Sequence, residues 1–423
     1  MRTHRIRPLK QWRHADPNRS EIRDQRSDTP TVLHVRIVTE TGGGPDKTIL
    51  RSAKYIDGKR YRVAAAYIHN ADDPGIHTLE QQARELGMPF HAIPERGKFD
   101  LTAIRQLLRL CRQLNVAIWH GHDYKSDLLG VALRRLHRMK LVTTAHGFTR
   151  PTPVTQLYYK LDDLSFRAFD HVVTVSPTLL EHCVAQGVHP DRVSYVPNAI
   201  ELDQYPRTMD RDRAKQCFGV DPARLVIGIV CRLSPEKGLE RAIRLMNDLS
   251  HPPRARHCDA VPGSAHNVEL HIIGDGNQRD HLEAMAREFN LGERVKFFGW
   301  QTDPRPYYQM MDLLLIPSLR EGMPNSALEA MAMHVPVAAT AIDGLPDLFD
   351  GGRFGILLDP DDDSAWLAPI TRLLTHPAER AALAHRARRR IEQRHTFKAR
   401  MQRIVEIYDK VLGTGDGQHR RAA

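Results

Sequence analysis

The chain has 423 residues, five cysteines and a formal net charge of +10. That length exceeds one ordinary core and suits two domains. Residues 1–30 carry +4 of the charge and residues 379–423 carry +7, so the body is left at −1, which argues against a nucleic-acid-binding face.

The cysteines are scattered without CxxC spacing, which speaks against a disulfide framework and a zinc site and fits a reducing cytosol. No apolar run is long enough to span a membrane, and the basic N-terminus has no apolar segment behind it, so it is not read as a secretory signal. Basic ends suit either weak attraction to an anionic membrane surface or plain solubility, and both readings stay open here.

Residues 1–30 are polar and aperiodic and are expected to be disordered. From Thr31 an alternation begins. Strands are predicted at 32–38, 61–68, "MPFHAIP", "VAIWHGHD", "MKLVTTAHG", "HVVTVSP" and "RVSYVPN", with helices near 46–56 and over "IHTLEQQARELG", "DLTAIRQLLRLCRQLN" and "SDLLGVALRRLH". After "PNAIELDQYP" the alternation restarts. Strands follow at 225–232, "VELHIIGDG", "RVKFFG", "LLLIPS", "VPVAAT" and 354–360, with helices at "LERAIRLMNDLS", "RDHLEAMAREFN" and "NSALEAMAMH". Apolar strands alternating with amphipathic helices mean parallel sheets covered on both faces.

Two doubly wound α/β halves are therefore expected, over 31–206 and 207–380. A last helical segment over 381–412 and a short tail over 413–423 follow. The patternless stretch 251–267 is read as a surface insertion.

In such sheets ligands bind beyond the carboxyl ends of the strands. "TGGGPDKTIL" (41–50) puts Gly43 and Gly44 at a helix start, where a phosphate or a plain tight turn would fit. His146 ends one strand of this half. His120, His122 and Asp123 end another, and are read as a polar wall rather than a metal site. In the second half, Arg232 and Lys237 flank a strand-to-helix turn, with enough charge for a diphosphate.

"LREGMPNSALEAMAMHVPVAAT" (319–340) sets Glu321 in a loop and Glu329 one turn inside the next helix. Carboxylates accept from hydroxyls, and the helix start between them, Gly322 to Asn325, favours phosphate. Hydroxyls, phosphates, hydroxyls: that outlines a nucleotide sugar. A first-turn dipole partner and a surface residue remain the ordinary alternatives.

"CRLSPEKG" (231–238), "EGMPNSALEAMAMHVPV" (321–337) and "IDGLPDLF" (342–349) resemble the donor half of glycosyltransferase family 4. "GGPDK", "AHGF", "VSP" and "VPNAIELDQY" resemble its first half, in the same order. The resemblance implies a GT-B fold, two Rossmann-like domains facing a cleft. It also implies retaining transfer from a nucleotide-sugar without metal or other cofactor.

Under it, Arg232 and Lys237 hold the diphosphate, Glu329 the ribose, and Glu321 the donor sugar. The backbone of Gly322, Met323, Pro324 and Asn325 lies nearby. His146 faces the donor sugar, Gly43 and Gly44 approach the phosphates, and Phe298 to Trp300 lie near the base. Cys231, Asp46, Asp347 and His334 depart from the usual pattern, and Cys231 is positioned to crowd the phosphate loop.

The expected donor is a UDP-sugar in preference to a GDP-sugar. The expected acceptor is a glycan or lipid-linked glycan of envelope or exopolysaccharide synthesis. The protein is expected in the cytoplasm, with the inner face of the membrane as a further partner. The alternative is a nucleotide-sugar epimerase on the same fold.

Overall fold

The computed structural model describes residues 29–38, 43–97, 100–147, 165–251 and 267–414. Within them lie two sheets, and every strand pairing is parallel. The first contains β1 (Thr31–Val38), β2 (Arg62–Asn70), β3 (Phe90–Glu95), β4 (Val116–Gly121), β5 (Lys140–Ala145), β6 (His171–Thr174) and β7 (Val193–Tyr195), in the order β3-β2-β1-β4-β5-β6-β7. The second contains β8 (Leu225–Val230), β9 (Val268–Ile273), β10 (Val295–Phe297), β11 (Leu313–Ile316), β12 (Val337–Thr340) and β13 (Ile356–Leu358), in the order β10-β9-β8-β11-β12-β13.

The chemistry of these segments explains the layering. Every residue of β9, β11 and β12 is buried, as strands covered on both faces require, and β9 hides Glu269 and His271 by pairing them at 2.8 Å. Helices supply the cover. The Leu101–Gln113 helix is started by Asp100, whose carboxylate accepts from the Thr102 and Ala103 amides. The strand order reverses between β1 and β4 and between β8 and β11, so each sheet opens a crevice at the carboxyl ends of those pairs.

All thirteen predicted strands form. Five short helices had no sequence assignment: Pro177–Ala185, Arg211–Cys217, Arg305–Met310, Leu345–Phe349 and Leu367–Thr375. They are too short to show a full apolar stripe. The N-terminal tail, the 251–267 insertion and the C-terminal tail expected above fall almost wholly outside the described residues.

The segment 381–412 is corrected. It is not one helix but parts of two, Pro377–Arg394 and Phe397–Leu412, broken at His395. Thr396 caps the second by accepting from the Ala399 amide. The first places Ala387 and Ile391 in the core of the second domain, and the second places Phe397, Met401, Ile404 and Tyr408 in the core of the first. At the break the chain pairs with the other crossing between the domains. Ile200 N donates to His395 O at 2.9 Å, and Phe397 N donates to Ile200 O at 3.1 Å.

Several arginines of these two helices turn inward. Arg380 donates to the Leu374 carbonyl at 2.6 Å, Arg388 to that of Ala332, and Arg390 to that of Asp347 at 3.1 Å. Those of Leu374 and Ala332 are carbonyls at helix ends, which have no partner within their own helix, while that of Asp347 also accepts from the Asp350 amide at 3.2 Å. Arg400 is buried and donates to Val196 O at 2.6 Å and to Pro197 O. No described helix is long and apolar enough to cross a membrane.

The two domains touch through backbone. A Cβ on Gly322 would lie 2.2 Å from the His146 carbonyl oxygen, and one on Gly147 would lie 3.1 Å from the Gly322 nitrogen. Gly147 also has φ +116, a conformation that side chains disfavour. Gly322→Ala should therefore hold the halves apart. X-ray scattering is expected to give a larger radius of gyration with unchanged far-ultraviolet circular dichroism; an unchanged radius would contradict the contact.

Burial lowers the pKa of His34, His171 and His395 from the usual 6.5 to about 4. The unfolded chain then binds protons that the folded one refuses. Stability should be full above about pH 6.5 and fall as pH drops towards 4. Denaturant midpoints measured across that window check this, and a flat profile would refute it.

Candidate active site

β8 delivers the chain to a short turn, Pro235–Lys237, ahead of the Leu239–Ser250 helix. Between them Gly238 has φ +61, and a Cβ there would sit 2.3 Å from the Pro317 carbonyl oxygen. Glycine thus lets the loop after β8 pack on the loop after β11, at the point where the strand order reverses. The two loops are joined by charge. Lys237 Nζ is 2.6 Å from Glu321 Oε1, which also accepts from Ser318 Oγ at 2.8 Å.

Burial works to lower the Lys237 pKa, but the Glu321 carboxylate outweighs it and the ammonium titrates above its usual range. The Glu321 amide donates to Asp343 Oδ2 at 2.8 Å. Asp343 has φ +48, and burial pushes its carboxyl pKa up.

Arg232 is nearby but not part of this pair. Its side chain is exposed and meets Glu236 at 3.3 Å. Cys231 packs against the core of the second domain, and burial raises its thiol pKa to about 12. The thiol is accommodated in that core.

Glu329 lies in the Asn325–Ala332 helix and is buried. Its carboxylate accepts from Tyr205 and Tyr308 hydroxyls, both at 2.9 Å, and pairs with Lys47 at 2.7 Å from the other domain. A cavity of about 20 Å³ adjoins it, lined among others by Lys47, Arg51, Glu201 and Asn325. Sequence reading assigned no role to Lys47, Tyr205 or Tyr308. They come from three distant segments, and no spacing rule links them.

The start of the same helix meets the first glycine loop. Asn325 Nδ2 donates to the Gly44 carbonyl at 3.2 Å, and a Cβ on Gly44 would touch that amide at 3.0 Å. Gly43 precedes it as the helix N-cap. Asp46 turns inward, accepting from the Gly43 amide at 2.5 Å and pairing with Arg36 at 2.9 Å. Met323 buries its side chain in the core and offers only its backbone, whose carbonyl accepts from Asn198 at 2.8 Å. Pro324 sits at the helix N-cap.

In the loop expected to lie near the base, Phe298 packs against Phe218 and Tyr307, while Trp300 is 54% exposed. His146 lies at the β5 edge beside the Gly147–Gly322 contact.

His120, His122 and His34 are buried, with ligand atoms within 4.8 Å of one another. Their rings stack with planes 16° to 30° apart. Both His120 nitrogens are engaged, by Tyr408 Oη at 2.7 Å and Thr144 Oγ1 at 2.8 Å, and His34 Nδ1 meets His122 Nε2 at 3.0 Å, so the three rings do not turn free lone pairs to one ion. Asp123 is a helix cap, accepting from the Lys125 and Ser126 amides. The polar wall reading fits this arrangement.

A family model described as glycosyl transferases group 1 matches residues 210–390, and one described as glycosyltransferase family 4 matches residues 42–204. The chain is 24% identical over 320 residues to the UDP-Gal:alpha-D-GlcNAc-diphosphoundecaprenol alpha-1,3-galactosyltransferase of Escherichia coli, covering 73% of this chain and 79% of the relative. It is 25% identical over 344 residues to the D-inositol 3-phosphate glycosyltransferase of Corynebacterium jeikeium, covering 75% and 78%.

Among solved structures, Anabaena HepE in complex with UDP-glucose superposes with a TM-score of 0.75 at 20% identity, covering 89% of this chain and 99% of that one. Sucrose-phosphate synthase from Thermosynechococcus elongatus gives 0.73 at 18%, covering 91% and 100%. The fold is GT-B. The epimerase alternative gains no support from these matches. The two family models meet at the junction between the sheets and together span most of the chain, which belongs to the family 4 type of glycosyltransferases.

Proposed function

We propose that the protein moves a sugar from a UDP-sugar, with retention at the anomeric carbon, to a hydroxyl of a glycan or lipid-linked acceptor in envelope or exopolysaccharide assembly. The Lys237–Glu321 pair at the edge of β8 and β11 carries this reading. It sets a cation beside a carboxylate, one suited to a diphosphate and the other to sugar hydroxyls. The E. coli relative, named for galactosyl transfer from UDP-Gal to a diphosphoundecaprenol-linked sugar, supports the choice of donor and acceptor class.

In this reading the donor enters as the domains part, because the space beside Glu329 is far smaller than a ribose. Its ribose hydroxyls replace Lys47 at Glu329. Lys237 turns to the diphosphate, joined by the exposed Arg232, and Glu321 accepts from the sugar. Gly43 and Gly44 approach the phosphates, and the Gly322 to Asn325 backbone lines the pocket. Trp300 stacks on the base.

As the glycosidic C–O bond breaks, negative charge grows on the diphosphate. Fixed cations and the helix start at Asn325 stabilise that state more than the ground state. The acceptor hydroxyl attacks from the same face and gives its proton to the leaving phosphate. No divalent metal is required, and the donor is the only small molecule bound.

Replacing Lys237 with Ala should weaken UDP binding and turnover by roughly tenfold or more, the scale of a lost charge-assisted contact. Glu321→Gln should cut kcat while leaving UDP affinity nearly intact, and Glu329→Gln should do the reverse. Calorimetry with UDP and steady-state kinetics separate the three, and unchanged UDP affinity in folded Lys237→Ala would remove the assignment.

The basic residues of the two ends other than the inward-turned Arg380, Arg388, Arg390 and Arg400 would also draw the protein to an anionic leaflet. Each residue contributes about 1 kcal/mol near the surface, and salt screens the attraction. Co-sedimentation should then appear with anionic vesicles at low salt and fade at physiological salt. Equal, negligible sedimentation with anionic and neutral vesicles would remove the membrane partner and leave the transfer reaction untouched.

A further inference from the structure

Four histidines stand together at the carboxyl edge of the first sheet: His34 on β1, His120 on β4, and His122 and His146 just past β4 and β5. His34 Nδ1 is 3.0 Å from His122 Nε2, and His122 Nδ1 is 3.1 Å from His146 Nε2. His120 stays outside this chain of contacts. Its two nitrogens meet Tyr408 Oη at 2.7 Å and Thr144 Oγ1 at 2.8 Å. The transfer reaction described above makes no use of His34 or His122.

Burial, with Arg36, Arg400 and the other rings adding repulsion, holds His122 and His146 well below the usual histidine range. Each ring is therefore neutral and carries one N–H. His122 then donates from one nitrogen and accepts at the other, so both hydrogen bonds run in the same direction. Two patterns satisfy this. In one, all three protons sit on Nδ1 and the chain runs from His34 to His146. In the other, all three sit on Nε2, and the chain starts at His146 and ends in a His34 Nε2–H.

The end of the chain decides between them. His34 Nε2 is buried and has no hydrogen-bond partner among the described residues. A buried N–H without an acceptor is rarer than an idle lone pair. The first pattern leaves only the lone pair.

We infer that His34 and His122 are positioning residues that fix His146 as its Nδ1–H tautomer, so that it meets the donor sugar as a hydrogen-bond donor. The inference rests on the reading of His146 as facing that sugar. Nε2 of His146 is taken by His122, and among the described residues no partner meets Nδ1, which is the nitrogen left for a ligand. Glu321, from the other domain, can only accept. The sugar would thus meet a donor from one side and an acceptor from the other, which fixes which hydroxyls face which domain.

The test uses the full chain labelled with 15N-histidine. Two-bond proton–nitrogen correlation spectra at neutral pH should show protonated Nδ1 and bare Nε2 in His34, His122 and His146, and added UDP-glucose should shift the His146 Nδ1 proton. His122→Leu should remove the tautomer preference at His146 and lower kcat about tenfold with little change in UDP affinity. His122→Asn, whose amide can replace the Nδ1 donor, should restore most of the rate. Protonated Nε2 at His146 in the wild type would overturn the inference, as would Leu and Asn variants with equal rates. The tautomer spectra need no donor. A wild type that ignored UDP-glucose would sink the donor-site reading and the sugar contact with it, whereas the wrong tautomer would sink this inference alone.

Discussion

Backbone meets backbone where Gly147 of the first domain faces Gly322 of the second, and the geometry of the cleft depends on that contact. No side chain separates the two loops there. The carboxyl edges of the two sheets therefore close on each other, and residues from both domains come to share one site. Asn325 reaches the Gly44 carbonyl, and Lys47 reaches Glu329. A third cross-domain bond, from Tyr195 to Asp347 at 2.5 Å, lies on the same side. Asp347 is one of the positions that departs from the family pattern.

The second domain has a structural reason to hold Glu321 so firmly. Three elements converge on it: Lys237 from the loop after β8, Ser318 from the loop after β11, and Asp343 from the loop after β12. The Glu321 side chain keeps 10% of its exposure, and a carboxylate so nearly enclosed needs Lys237 and Ser318 to satisfy its charge, while Asp343 holds the backbone behind it. The same contacts fix its direction. Satisfying the charge and aiming the group are one arrangement.

Strands were legible in the sequence because a parallel sheet buried on both faces writes continuous apolar runs, and each ends in glycine, proline or a polar cluster. Glu321, Lys237, the Asn325 helix start and the glycine loop were legible for a related reason. They sit at strand ends, where the fold places ligands. Lys47, Tyr205 and Tyr308 were not, because their meeting at Glu329 is set by how two domains dock. Nor were the inward arginines. A basic residue on a helix reads as solvated unless one knows that a neighbouring helix ends beside it, as Ala332 does beside Arg388. The break at His395 was hidden too, since "QRHTFK" carries neither Gly nor Pro to announce it.

Glu329 shows how a closed, self-satisfied cleft can still admit a ligand. Its three partners differ in exposure. Tyr205 and Tyr308 are buried, whereas the Lys47 side chain is 44% exposed. An ionised carboxylate offers about four acceptor positions, so the tyrosines can keep theirs while Lys47 leaves. Lys47 is already half in solvent and returns there readily, while the buried Glu329 carboxylate needs the ribose hydroxyls to take the place of the partner it loses. The tyrosines meanwhile keep the carboxylate from turning. In the proposed reading, exchange of Lys47 for ribose hydroxyls links donor binding to the docking of the two domains. The link works because the labile partner stands on the first domain's glycine-loop helix, whereas both fixed partners pack in the core of the second domain.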